Sequence, residues 1–134
     1  MPTIDRMTPE GQRLMAELEK LNKLAAYVGF QSGKPAKERH GDAIIDSDVD
    51  LLDVALWNEL GTSTAPSRPF LRKSMDDNRE KINAFCQAQL RALSSGTTTA
   101  DEIMRKTSVF VRGLVQETIK EGEFSPNAPS TIKK

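Results

Sequence analysis

The sequence predicts an α+β fold, with helices packed against a small antiparallel sheet and an extended C-terminal tail. Three observations lead there. Four segments carry apolar residues at three- and four-residue spacing, one or two short apolar runs tolerate β structure, and glycine and proline punctuate the joins.

Thr8-Pro9-Glu10 reads as a helix start, Thr8 as cap and Pro9 in the first helical position, where its missing N–H has no partner to lose. Leu14, Met15, Leu18 and Leu21 follow as an apolar stripe. Leu24 to Phe30 is short and apolar and stops at Ser32-Gly33, which predicts a strand. Residues 31–42 are polar, with two glycines and a proline, and read as a mobile loop. Ala43-Ile44-Ile45 predicts a brief second strand. Ser47-x-x-Asp50 resembles a capping box ahead of a short helix through Leu51, Leu52, Ala55, Leu56 and Leu60, with Gly61 as its left-handed stop. Pro69 opens a long helix to residue 94, carried by Leu71, Met75, Ile82, Phe85, Cys86, Leu90 and Leu93. Thr99-Ala-Asp-Glu102 is a capping box for a last helix lined by Ile103, Thr107, Phe110, Val111, Leu114, Thr118 and Ile119 and ended by Gly122. Residues 123–134, with Pro126 and Pro129, are expected to be extended. Two short strands make a marginal sheet, so other segments or neighbouring subunits are needed to complete it.

The 134 residues fit a single domain, 1–134. The 19 basic and 19 acidic side chains cancel, which argues against a general nucleic-acid binder that must displace counterions from phosphates. Cys86 is the only cysteine and forms no internal disulfide; no apolar run approaches the roughly 18 residues of a membrane span. Charges at Asp5, Arg6 and Glu10 interrupt any signal-peptide pattern, so a soluble product of a reducing cytosol is expected. The charge is polarised. Residues 1–67 hold 7 basic and 11 acidic side chains, residues 68–134 hold 12 and 8, and between Gly41 and Ser67 there are six acidic groups and no Lys or Arg. Ordinary variation explains this, and so does an acidic face on one copy meeting a basic face on the next.

No constellation of reactive groups emerges. His40 is the only histidine, set among Lys37, Glu38 and Arg39, and Cys86 falls on an apolar stripe with no base beside it. Asp46-x-Asp48-x-Asp50 opens like an EF-hand loop, but the glycine and glutamate that loop requires are Leu51 and Trp57 here. No glycine-rich phosphate cradle occurs. The expectation is a protein without catalytic residues, metal or cofactor. More specific is the join between Trp57-Asn58-Glu59-Leu60-Gly61-Thr62 and Pro66-Ser67-Arg68-Pro69-Phe70-Leu71-Arg72. Two prolines fix this connection, and Phe70 sits between two arginines, either as a core filler at a stiff hinge or at a corner displayed to a partner.

Those two runs resemble the hallmark N-E-F-G-T and P-x-R-P-F-L-R of a family of phage minor tail proteins, the tail-completion or neck proteins of long-tailed double-stranded-DNA phages and prophages. Tyr27-Val-Gly-Phe30 resembles the family's upstream strand, and Phe124-Ser-Pro-Asn-Ala-Pro-Ser-Thr-Ile-Lys133 its segment after the last helix. Leu60 stands where the family usually has an aromatic. Members commonly continue past the last segment into further strands, whereas this sequence stops at Lys134, so either it is a shortened version or another subunit closes its sheet. The resemblance implies a structural virion protein that completes or terminates the tail and joins it to the head. It would be assembled in the host bacterial cytoplasm as an oligomeric ring. Its implied partners are copies of itself, head-connector and tail-tube proteins, with DNA passing the lumen without specific binding, and no membrane. Arg68, Phe70 and Arg72, with Glu59 and Trp57, are the expected partner or subunit contacts. The competing expectation is a non-catalytic protein-binding adaptor outside a virion.

Overall fold

The computed structural model describes residues 6–122 and Phe124. Among them are five helices and one two-stranded antiparallel sheet: α1 Pro9–Lys23, β1 Pro35–His40, β2 Ala43–Asp50, α2 Leu51–Leu60, α3 Phe70–Asp77, α4 Arg79–Ser94 and α5 Ala100–Glu121. The α+β class is as the sequence predicts. The chain parts into two compact units, one of residues 1–28 and 78–113, the other of 29–77 and 114–134.

In the first unit α1 starts as expected, with Gly11 N–H donating to Thr8 Oγ1 at 3.0 Å and Pro9 leading the helix. Leu93, Ala100 and Ile103 are buried, and the rings of Phe85 and Phe110 stack with centroids 4.3 Å apart. Three residues on one face of α1 clasp the turn between α4 and α5. Arg13 donates to the Leu93 carbonyl at the end of α4 (2.9 Å), the Glu17 carboxylate accepts from Ala100 N–H at the start of α5 (2.7 Å), and Lys20 pairs with Asp101 (2.5 Å). Arg13 and Glu17 each carry the sign that the helix end they touch favours, a cation on an orphan carbonyl and an anion on an orphan amide, while Lys20 binds a carboxylate in the first turn of α5. Thr99 caps α5, receiving Glu102 N–H at 3.4 Å, while the Glu102 carboxylate takes a hydrogen bond from the Thr98 hydroxyl.

In the second unit β1 and β2 form a hairpin over the two-residue turn Gly41-Asp42, where Gly41 has φ 63°. The register slips between Pro35 and Lys37, and the extra β2 residues are held by Val49 N–H donating to Ser47 Oγ. β2 runs directly into α2. Asp50 caps that helix through Leu52 N–H (2.9 Å) and also accepts from Gly33 N–H (2.7 Å), fastening the approach to β1 onto the helix start. Ala36, Ala55, Phe70, Leu114 and Val115 are buried in this unit, and Phe30 meets Phe70 edge-on at 5.7 Å.

Four expectations change. Leu24 to Phe30 is not a strand. Leu24 caps the end of α1, and among the described residues no strand pairs with the segment; its residues serve separately, with Phe30 packed on Phe70 and Tyr27 94% exposed. Residues 31–42, read as a loop, contain β1; a hairpin wet on both faces needs no apolar alternation, and Ala36 is the one buried residue of that strand. The cap of α2 is Asp50, because Ser47 turns back on Val49. The helix expected over 69–94 breaks at Asn78 (φ −111°, ψ 12°) into α3 and α4. Six polar residues separate Met75 from Ile82, so no apolar side chain holds the helix across that point. The extended tail and its motif lie outside the described residues, apart from Phe124.

Candidate functional site

The two runs singled out in the sequence fold into one elbow joining α2 to α3. α2 stops at Gly61, whose N–H reaches the Trp57 carbonyl at 2.9 Å and whose φ of 78° and ψ of 172° are almost confined to glycine. A Cβ there would lie 2.8 Å from the Ser67 amide nitrogen and 3.2 Å from the Ala65 carbonyl oxygen, both backbone atoms. The intervening residues close a tight turn on Thr62, which donates its N–H to the Ala65 carbonyl and accepts Ala65 N–H on its hydroxyl at 3.0 Å.

The returning segment of the elbow is then sewn to the last turn of α2. Arg68 N–H donates to the Asn58 carbonyl at 2.5 Å, the Arg68 guanidinium to Asn58 Oδ1 at 3.3 Å, and the Ser67 hydroxyl to the Glu59 carbonyl at 2.7 Å. Asn58 is itself oriented by Nδ2 donating to the Val54 carbonyl at 2.8 Å. The Glu59 carboxylate takes Leu71 N–H on one oxygen (2.9 Å) and Arg72 N–H on the other (3.1 Å). Phe70 N–H goes to the Arg68 carbonyl and Lys73 N–H to that of Pro69. All four leading amides of α3 are thereby satisfied, and an anion sits where the helix dipole favours one.

The five expected contact residues divide. Glu59 and Phe70 are engaged inside the unit, the first as the cap of α3 and the second buried (6% exposed) against Phe30. Arg68 is half-buried and bonded to Asn58. Arg72 faces solvent with its side chain, and Trp57 is 50% exposed. Trp57 is not alone: Leu56 and Leu60 beside it on α2 are also exposed, Leu60 at 74%. The position where the resembled family has an aromatic therefore lies on the surface and not in the core.

The sequence reading missed the capping role of Glu59 and the part played by Asn58 and Ser67. A signal was available, since an acid at the end of one helix, a turn, and then a proline at the start of the next is the arrangement in which a carboxylate meets orphan amides. The remaining candidates lie elsewhere. His40 is exposed on β1 with Nε2 3.4 Å from Glu38, and Cys86 is half-buried on α4. Asp46 pairs with Lys37 across the hairpin and Asp50 is the cap of α2; among the described residues no three ligands gather around a common point for a metal ion. No helix among them is long and apolar enough to cross a membrane.

Comparison of the chain with protein-family models, with curated proteins and with solved structures gave no match.

Proposed function

We propose that the chain is a non-catalytic structural protein of the head–tail neck of a long-tailed double-stranded-DNA phage or prophage. In this reading it completes or terminates the tail and joins it to the head connector, as one copy in an oligomeric ring. The observation that carries the reading is the elbow. Five of the residues on which the resemblance rests, Asn58, Glu59, Gly61, Arg68 and Phe70, are among those that make its hydrogen bonds and its buried ring contact. A motif invested in fixing the angle between two helices, with both carboxylate oxygens of Glu59 already occupied by amides, suits a part that must hold its shape in an assembly. It leaves Trp57 and Arg72 facing outward from a rigid base. The partners in this reading are further copies of the chain and the connector and tail-tube proteins, and the location is the virion neck.

The test is electron microscopy of particles produced from a phage genome deleted for this chain, with and without the chain supplied in trans. The expected result is unjoined heads and tails, or tails of irregular length, cured by the wild-type chain. Normal joined particles without it would refute the proposal.

A further inference from the structure

We infer that the exposed face of α2 is one half of a head-to-tail contact whose other half is the basic stripe of α5 on a second copy of this chain. Asp53, Leu56, Trp57 and Leu60 stand at i, i+3, i+4 and i+7, so they share one face of α2, and all four are exposed. This face lies within the stretch Gly41–Ser67, which holds six acidic side chains and no basic one. Asp53 makes no ion pair among the described residues.

α5 carries the complement. From Ile103 to Gln116 there are three basic side chains and no acidic one. Arg105, Val109, Arg112 and Gly113 share a face there; the first three are exposed, and neither arginine is ion-paired among the described residues. Gly113 is the informative member. Glycine inside a helix is destabilising relative to alanine, yet a Cβ at this position would meet nothing within 4 Å among the described residues. Nothing that the described residues pack there calls for its absence, whereas a second helix lying close along this face would. The two stripes also match in length, roughly 10 Å for residues 53–60 and roughly 12 Å for 105–113 at 1.5 Å per residue.

The opposite charges and the apolar centre therefore fit one another. On one copy Arg105 and Arg112 flank Val109 and Gly113, and on the other Trp57 offers its ring to a guanidinium and Asp53 a carboxylate. Because the α2 and α5 stripes are different surfaces, the contact is heterologous and closes a ring when the rotation permits. The inference rests on the self-assembly part of the reading above and names the surfaces that part requires.

Sedimentation velocity over a concentration series tests it, using three proteins: the wild type, an α2 variant (Trp57→Ser with Leu60→Ser), and an α5 variant (Arg105→Glu with Arg112→Glu). Wild type should associate, more weakly as salt rises. Each variant alone should associate at least about tenfold more weakly. A one-to-one mixture should give a dimer and nothing larger, because one intact face of each kind remains. Gly113→Met, which keeps both sets of charges and whose Cβ would meet nothing within 4 Å among the described residues, should weaken association in the same way and serves as the second readout if either double variant fails to fold. Variants that assemble like wild type overturn the face assignment and leave the ring intact. A wild type that is monomeric throughout overturns both the assignment and the self-assembly reading.

Discussion

The elbow of the second unit and the clasp of the first solve the same problem by opposite routes. Each uses a carboxylate borrowed from another helix to satisfy the leading amides of a helix: Glu59 for α3, Glu17 for α5. Glu59 reaches only 12 and 13 residues along the chain, across a turn stiffened by Pro66 and Pro69. Glu17 reaches 83 residues, and Arg13 beside it reaches 80. The elbow is thus assembled from what is already adjacent, while the clasp exists only once distant helices have met. The ordering entropy falls mainly on the chain that must be closed, so the two should respond differently to damage.

The largest effect should come from Gly61→Ala. The substitution places a Cβ against two backbone atoms at a φ that alanine rarely adopts, and the strain and overpacking together should destabilise the second unit by about 3–4 kcal/mol. Hydrogen exchange should show the loss in α2 and α3 with α1 and α4 protected as before; equal loss in both units would break the comparison. Next comes Glu59→Ala, which removes two charge-assisted hydrogen bonds and should cost about 2–3 kcal/mol, with faster exchange at Leu71 and Arg72. Glu17→Ala removes one and should cost about 1–2 kcal/mol, read as faster exchange at Ala100. If Glu17→Ala proves the more damaging of the two, the distant clasp and not the local elbow dominates.

Asp50 sharpens the comparison through pH. The Gly33 amide, then that of Leu52, holds its carboxyl below the usual aspartate range, so the folded state favours the ionised form. Its contribution should be complete above the range in which the unfolded chain titrates and should fade as pH falls through the lowered folded value. Acid titration followed at the Gly33 and Leu52 amides should show this, and Asp50→Asn should abolish it. The smallest effect belongs to Lys20→Met. Asp101 raises the lysine's pKa by hydrogen bond and charge, so the pair contributes below the ordinary lysine range and loses its contribution as pH rises through the raised value. Both side chains are exposed, so the change in melting temperature should be slight and should shrink further with salt.

What could be read from the sequence follows the same division. Thr8 and Pro9 at the start of α1, Gly61 at the end of α2 and Thr99 ahead of α5 all act over a few residues, and the helix ends they bound were legible to within a residue or two, whereas the cap of α2 was read at Ser47, three residues before Asp50. The break at Asn78 was not, because the apolar positions on either side of the gap fit one continuous helix as well as two. β1 was hidden by its polarity, although Gly41-Asp42 carried a hairpin-turn signal that the run of charges obscured. The expected strand at Leu24 to Phe30 had the right composition and no partner. Glu59 was singled out as a surface contact when its oxygens face amides, and Trp57 was noted without its neighbours Leu56 and Leu60.

The central claim is that a motif-built elbow holds one face of α2 outward for copies of the same chain. Mass photometry and sedimentation of the purified wild type at rising concentration test it most directly. The account predicts one discrete oligomer, of a single closed size, that dissociates in high salt. A monomer at every concentration, in low salt as in high, would contradict it.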